Sequence, residues 1–314
     1  MDNAIAARGW SARWSKFSER VLAECANPNC RHTRERWRRL FHRGGLRLQE
    51  NWCCTPACFE TVLARTYRTL LKAPARLPGA VPHRVPLGLV LLSKGCVSNP
   101  QLRTALRAQQ TAGRGRIGEW LVEMGVINER EVVVALGQQW GCAVYPAGNA
   151  TDVQWSRMLP LCLQEHFRMM PVSYIRATGV LLIAFSEGVD HTLLYRIEQM
   201  LDCGAEPCLL SPSAMGRLLE QAQQQGRSDE IVFDRIADPA EMARITRSYV
   251  TKLSACNVRS ARCGEYVWAR LECAREPMNL MFHGSPAAWS LNYEEAISNT
   301  PTVISAKALP YSCR

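Results

Sequence analysis

The sequence predicts an α+β, multi-domain protein. It has a Cys-rich helical N-terminal module, a middle domain of four helices plus a small α/β half, and a small α/β C-terminal piece. Three observations carry this. Ten residues recur at a fixed offset of thirty: Gly88, Leu91, Gly95, Val97, Ser98, Gln101, Leu102, Ala105, Leu106 and Gln109 reappear as Gly118, Leu121, Gly125, Ile127, Asn128, Glu131, Val132, Ala135, Leu136 and Gln139. Such a duplication marks one supersecondary unit used twice. A proline-rich stretch, 73–83, separates a basic, Cys- and Trp-rich beginning from this repeat. From Trp140 onward, short β-branched runs alternate with helix-period stretches. The expected divisions are 1–72, the linker 73–83, 84–226 (with the repeat at 84–139 and an α/β half at 140–226), and 230–314.

Composition bounds the function classes. The chain has 314 residues, 47% hydrophobic and 21% charged, as a soluble chain of two or three domains would. Its apolar runs, such as Leu89 to Leu92 and Val180 to Phe185, fall far short of the roughly 20 residues of a membrane helix. Met1 to Trp10 carries no apolar signal region, so the expected address is cytoplasmic and the 14 cysteines are expected to be reduced thiols, some of them metal ligands. The net charge of +10 favours an anionic partner, and seven arginines fall between Arg31 and Arg47.

In the first segment, Cys25-x4-Cys30 and Cys54-x3-Cys58 form two knuckles able to converge on a tetrahedral structural zinc. Cys53 is an alternative to Cys54, His32 and His42 could substitute, and unligated buried thiols are the alternative reading. The Arg31 to Arg47 stretch, with Trp37 and Phe41 interleaved, is compatible with nucleic acid, although a solvated basic helix face has the same pattern.

Each copy of the repeat reads as helix, tight turn, helix. Ser98 with Gln101 and Asn128 with Glu131 are spaced as capping boxes. Gly95 and Gly125 fall where a preceding helix needs a left-handed residue. Beyond it, strands are expected at Cys142–Tyr145, Met170–Tyr174 and Val180–Phe185, and helices near Leu161–Arg168, His191–Met200 and Ser213–Ala222. A polar linker at Gln223–Asp229 leads to a helix at Pro239–Leu253 and strands near Asn257–Arg262, Glu265–Leu271 and Asn279–Phe282. The tail after Gly284 has no clear pattern.

The stretch Arg116-Ile117-Gly118 through Gln139 resembles the repeated motif of the N-terminal domain of type II secretion and type IV pilus assembly ATPases, the MshEN family. The resemblance extends over roughly 84–225. It implies cyclic di-GMP as ligand, since in that family the paired motifs bind this nucleotide. Carried over by position, the second motif is complete with Arg116, Ile117, Gly118, Val132, Leu136 and Gln139. The first has Leu87, Gly88, Leu102, Leu106 and Gln109, but Pro86 stands in the arginine position. Arg84 and Arg114, each two residues before a motif, are candidates to compensate. The alternative is that these positions only pack helices. The segment 230–283 is faintly similar to the next segment of such ATPases, yet the chain contains no Gly-x4-Gly-Lys-Ser/Thr phosphate loop and no Ser-His-Asp or His-Glu-x2-His pattern. A non-enzymatic regulatory or adaptor role on a secretion or pilus apparatus is therefore expected, with a zinc-dependent nucleic-acid binder or a ligand-free interaction module as alternatives.

Overall fold

The computed structural model describes residues 24–31, 45–73, 84–146, 153–226 and 229–284. His32, His42, most of the Arg31 to Arg47 stretch, most of the linker and the tail after Gly284 lie outside these residues. The elements in chain order are β1 (Leu46–Leu48), β2 (Asn51–Cys53), α1 (Pro56–Lys72), α2 (Leu87–Ser93), α3 (Asn99–Ala112), α4 (Ile117–Glu123), α5 (Glu129–Trp140), β3 (Ala143–Val144), α6 (Leu161–His166), β4 (Met169–Ile175), β5 (Val180–Phe185), α7 (His191–Leu201), β6 (Gly204–Leu209), α8 (Pro212–Gln224), β7 (Glu230–Asp234), α9 (Pro239–Leu253), β8 (Asn257–Cys263), β9 (Tyr266–Glu272) and β10 (Met278–His283). They divide into two units: the two ends of the chain form one, and residues 76–228 form the other.

The first unit corrects the reading of residues 1–72 and 230–314 as separate pieces. One six-stranded sheet, ordered β2-β1-β8-β9-β10-β7, takes strands from both ends. β1 and β2 form a tight antiparallel hairpin, and β1 then runs parallel to β8, with Arg47 opposite Asn257 and Leu48 opposite Val258. The described N-terminal segment is thus a hairpin and one helix. Three-residue strands bury too little to stand alone, so this hairpin depends on the sheet it joins. α1 starts at Thr55, whose side chain accepts from Cys58 N–H, with Pro56 at the first helical position. It buries Phe59, Leu63 and Tyr67 in a core shared with Val258, Val267, Leu271, Leu280 and Phe282. Tyr67 Oη and Thr246 Oγ1 are 2.9 Å apart, tying α1 to α9. At the other end of α1, the buried Arg262 guanidinium donates to the carbonyls of Leu71 and Ala73 at 2.8 and 2.7 Å. Those carbonyls have no partner within the helix, so the cation closes its C-terminus.

In the second unit the repeat forms the expected four helices, α2 to α5. Both capping boxes form: Ser98 N–H donates to Gln101 Oε1 at 2.8 Å, and Asn128 and Glu131 exchange bonds at 2.9 Å. Gly95 and Gly125 take left-handed φ of 69° and 67°. The core consists of repeat-related residues, Leu91 with Leu121, Val97 with Ile127 and Ala105 with Ala135. The α/β half has a four-stranded sheet ordered β3-β6-β5-β4, in which only the β4–β5 pair is antiparallel. α8 packs Ala214, Met215, Leu218 and Leu219 against Met170, Ala184 and Cys208 of that sheet. Strand β6 was not expected. Its central position holds although Pro207 lies within it, because pairing on both sides and burial of Cys208 and Leu209 override the local signal.

Candidate functional sites

The repeat places its motif residues around an approximate two-fold relation. Gln109 Nε2, at the end of the first motif, donates to the Gly115 carbonyl at 2.8 Å, just before the second motif begins. Gln139 Nε2, at the end of the second, donates to the Val85 carbonyl at 2.6 Å, just before the first begins. Each glutamine therefore fixes the entry to the other copy. Gly88 and Gly118 are buried for a matching reason. A Cβ on Gly88 would lie 2.9 Å from Leu102 Cδ1, and one on Gly118 would lie 2.8 Å from Val132 Cγ1 and 3.4 Å from Leu87 Cδ2. Helices α2 and α4 meet across that Leu87–Gly118 contact.

The predicted ligand set thus divides by environment. Leu102 is buried; Leu87, Ile117, Val132 and Leu136 are half-buried and partly spent on helix packing; Leu106 is exposed. The arginines differ from one another. Arg116 Nη2 pairs with Glu187 Oε2 at 3.0 Å while its Nη1 donates to the Glu187 carbonyl at 3.0 Å, both side chains being more than half exposed. Arg84 stacks its guanidinium 3.3 Å from the Trp140 ring centroid. Arg114 is exposed, and its carbonyl accepts from Trp120 Nε1 at 3.0 Å. Glu187 and Trp140, which hold two of the three arginines, were not in the predicted set. Trp140 follows Gln139 directly, a signal available in the sequence, whereas Glu187 lies 71 residues from Arg116 and is joined to it only by the fold.

At the position of the missing arginine, Pro86 and Arg116 are both N-caps, of α2 and α4. Arg116 N–H donates to Glu119 Oε2 at 3.0 Å. Proline has no N–H to donate. The residue matching Glu119 in the first copy is Leu89, 51% exposed, so the acceptor is absent where the donor is absent.

The four predicted metal ligands do converge. The Sγ atoms of Cys25, Cys30, Cys54 and Cys58 all lie within 4.8 Å of one another. The Cys30–Cys54 and Cys54–Cys58 separations are 3.4 and 3.8 Å. A tetrahedron with metal–sulfur bonds of about 2.3 Å has sulfur–sulfur edges of about 3.8 Å. The four thiols are therefore a donor set able to hold one metal ion. Each knuckle is fixed by local backbone. Cys30 N–H donates to the Asn27 carbonyl and Ala26 N–H to the Trp52 carbonyl, while Asn27 Nδ2 donates to Cys58 Sγ at 3.3 Å. Cys54 and Cys58 flank the N-terminus of α1, where the helix dipole favours thiolate. Burial pushes the Cys54 thiol well above the ordinary cysteine range, and hydrogen bonding with Cys30 and Cys25 adds to this. Burial likewise raises Cys25, against the pull of backbone groups of Cys54 and Asn27. Without a cation such a cluster resists ionisation; a bound divalent ion reverses that balance. Cys53 is fully buried, its thiol pushed up to about 12 by burial first and by Cys25 next, and it is not among the four thiols that converge.

Among known proteins, no protein-family model matches the chain. It is 25% identical over 129 residues, 41% of its own length, to the type IV pilus assembly ATPase PilB of Thermus thermophilus. That match spans only 14% of the length of PilB. A solved structure of MshE with cdg aligns at 26% identity, covering 44% of this chain and 99% of that chain with a TM-score of 0.37. A structure of the XpsE N-terminal domain aligns at 19% identity, covering 43% of this chain and 92% of that chain with a TM-score of 0.32. Over those 129 residues the chain is thus similar to part of a type IV pilus assembly ATPase. No helix among the described residues is long and apolar enough to cross a membrane.

Proposed function

We propose that this protein is a non-enzymatic cytosolic regulator or adaptor that binds cyclic di-GMP on its duplicated helical motif and docks on a type II secretion or type IV pilus apparatus. The observation that carries the reading is the reciprocal glutamine contact, in which each copy of the motif fixes the entry to the other. Cyclic di-GMP has two guanines and two phosphates related by a two-fold axis, and two related peptide surfaces match that symmetry. Arg116 is the principal cation. Its ion pair with Glu187 is exposed and is worth about 0–1 kcal/mol, so a phosphate or guanine edge can take the guanidinium at little cost. Pro86 removes the matching contact, and a good bidentate contact contributes about 1–3 kcal/mol, or roughly 10- to 100-fold in affinity. Arg84, stacked on Trp140, and Arg114 flank the two motif starts and supply further positive charge.

The same reading assigns zinc to Cys25, Cys30, Cys54 and Cys58. Four cysteine ligands close the coordination shell, so the ion is structural and leaves no position for a reacting water.

Calorimetry with cyclic di-GMP on the full chain tests the nucleotide. Binding that weakens at least tenfold in Arg116→Ala is expected. No heat at micromolar protein, or indistinguishable isotherms for wild type and Arg116→Ala, would overturn it.

A further inference from the structure

We propose a second anion site in the first unit, a groove between the Cys25–Cys30 loop and α1 that binds the phosphodiester backbone of a nucleic acid strand. The inference is independent of the nucleotide reading for the repeat. The groove encloses about 660 Å³, and Asn29 and Asn51 stand on one wall while Arg65, Arg68 and Thr69 of α1 stand on the other. That volume is in the range of a ligand cleft. Among the described residues, its lining contains two arginines and no Asp or Glu.

Three features select the occupant. The first is charge: residues 1–75 hold 14 of the 38 Lys and Arg against six Asp and Glu, so most of the net charge of +10 belongs to this part of the chain. The second is geometry. Arg65 and Arg68 are spaced i, i+3, so their side chains leave α1 about 5–6 Å apart on one face and can reach successive phosphates. The side-chain amides of Asn29 and Asn51 supply the neutral hydrogen bonds that protein contacts to phosphate and sugar commonly use, whereas the Thr61, Thr66 and Thr69 hydroxyls donate to carbonyls of their own helix. The third separates a strand from a lipid surface. A membrane-binding face needs exposed apolar side chains to insert. None of the exposed large hydrophobic residues among the described ones borders this groove. The metal centre contributes rigidity: Asn27, at the head of the loop, donates to Cys58 Sγ and accepts from Asn29 N–H at 3.1 Å, so the wall is set by the knuckle that holds the thiols.

The test uses the full chain and a labelled, mixed-sequence single-stranded oligonucleotide, with fluorescence anisotropy read across a salt series. Binding should weaken as salt rises. In Arg65→Ala/Arg68→Ala the slope of log K against log salt should fall by about 1.4, at about 0.7 per lost phosphate contact, with roughly tenfold weaker binding near physiological salt. Arg65→Lys/Arg68→Lys should keep most of the slope, and the exposed pair Arg103→Ala/Arg107→Ala on α3 should leave it unchanged. The proposal fails if Arg65→Ala/Arg68→Ala binds as wild type does. It fails equally if the oligonucleotide does not bind, or if phosphatidylserine vesicles are bound in preference to it. Since Arg116→Ala leaves this groove intact, loss of the cyclic di-GMP reading and loss of this one are separately visible.

Discussion

Stripping the zinc proposed for the four-cysteine cluster is expected to unfold residues 229–284 together with the N-terminal segment, although those residues supply no ligand. The reason lies in what the knuckle anchors. Leu48, Phe59, Leu63 and Tyr67, each at most 1% exposed, belong to the hairpin and helix next to the four-thiol cluster, and all pack in the shared core. At about 1.5–3 kcal/mol for each buried large apolar side chain, the four contribute about 6–12 kcal/mol as an upper estimate. Whole domains are stable by about 5–15 kcal/mol, and a structural zinc is worth about 10–16 kcal/mol near pH 7. Withdrawal of the N-terminal segment therefore removes most of the margin of the sheet. It also leaves the Arg262 guanidinium without its two carbonyl partners on α1. The assay is hydrogen exchange read by mass spectrometry on chelator-treated protein and on Cys54→Ser, with metal content measured on the same samples. Amides of β8 and β9 should lose protection while those of β4 and β5, in the second unit, keep it. Full protection of β8 and β9 in protein shown to be metal-free would refute the reasoning, as would equal loss in both units.

Three other outcomes are expected. Pro86→Arg, at an exposed N-cap, should restore the guanidinium missing from the first motif and tighten cyclic di-GMP binding about 10- to 100-fold by calorimetry; unchanged or weaker binding contradicts the proposed site. Gly118→Ala should destabilise the second unit by about 1–3 kcal/mol in urea unfolding, and Gly88→Ala by less, because the β-branched Val132 gives way less readily than the rotatable Leu102; a reversed order counts against the packing argument. Burial, with a smaller contribution from Cys142, raises the Cys208 thiol from 9.0 to about 12. Its folded value lies above its unfolded one, so its stabilising effect is complete below pH 9 and is lost as pH climbs through about 12, a fall of order 4 kcal/mol. Cys208→Ala should flatten that alkaline decline in the second unit, and an unchanged pH profile would exclude Cys208 as its source.

The sequence by itself determined the repeat. Helices α2 to α5, their capping boxes and left-handed glycines come from local rules of short range, and the offset of thirty marks the pairs Leu91/Leu121 and Ala105/Ala135 before any tertiary contact is known. Cysteine spacing likewise marked the four thiols that converge, because the members of each pair lie close in sequence. Tertiary structure decided the rest. β1, β2 and β7 are strands of three to five residues whose ladder partners lie up to about two hundred residues away, as when Arg47 pairs with Asn257, and no local pattern encodes such a partner. For the same reason the separation of the chain ends into two pieces did not survive. The site shows the division most plainly: the sequence identified Arg116 as the surviving arginine and Pro86 as its lost twin, while only the fold brought Glu187 to the one and left Leu89 exposed beside the other.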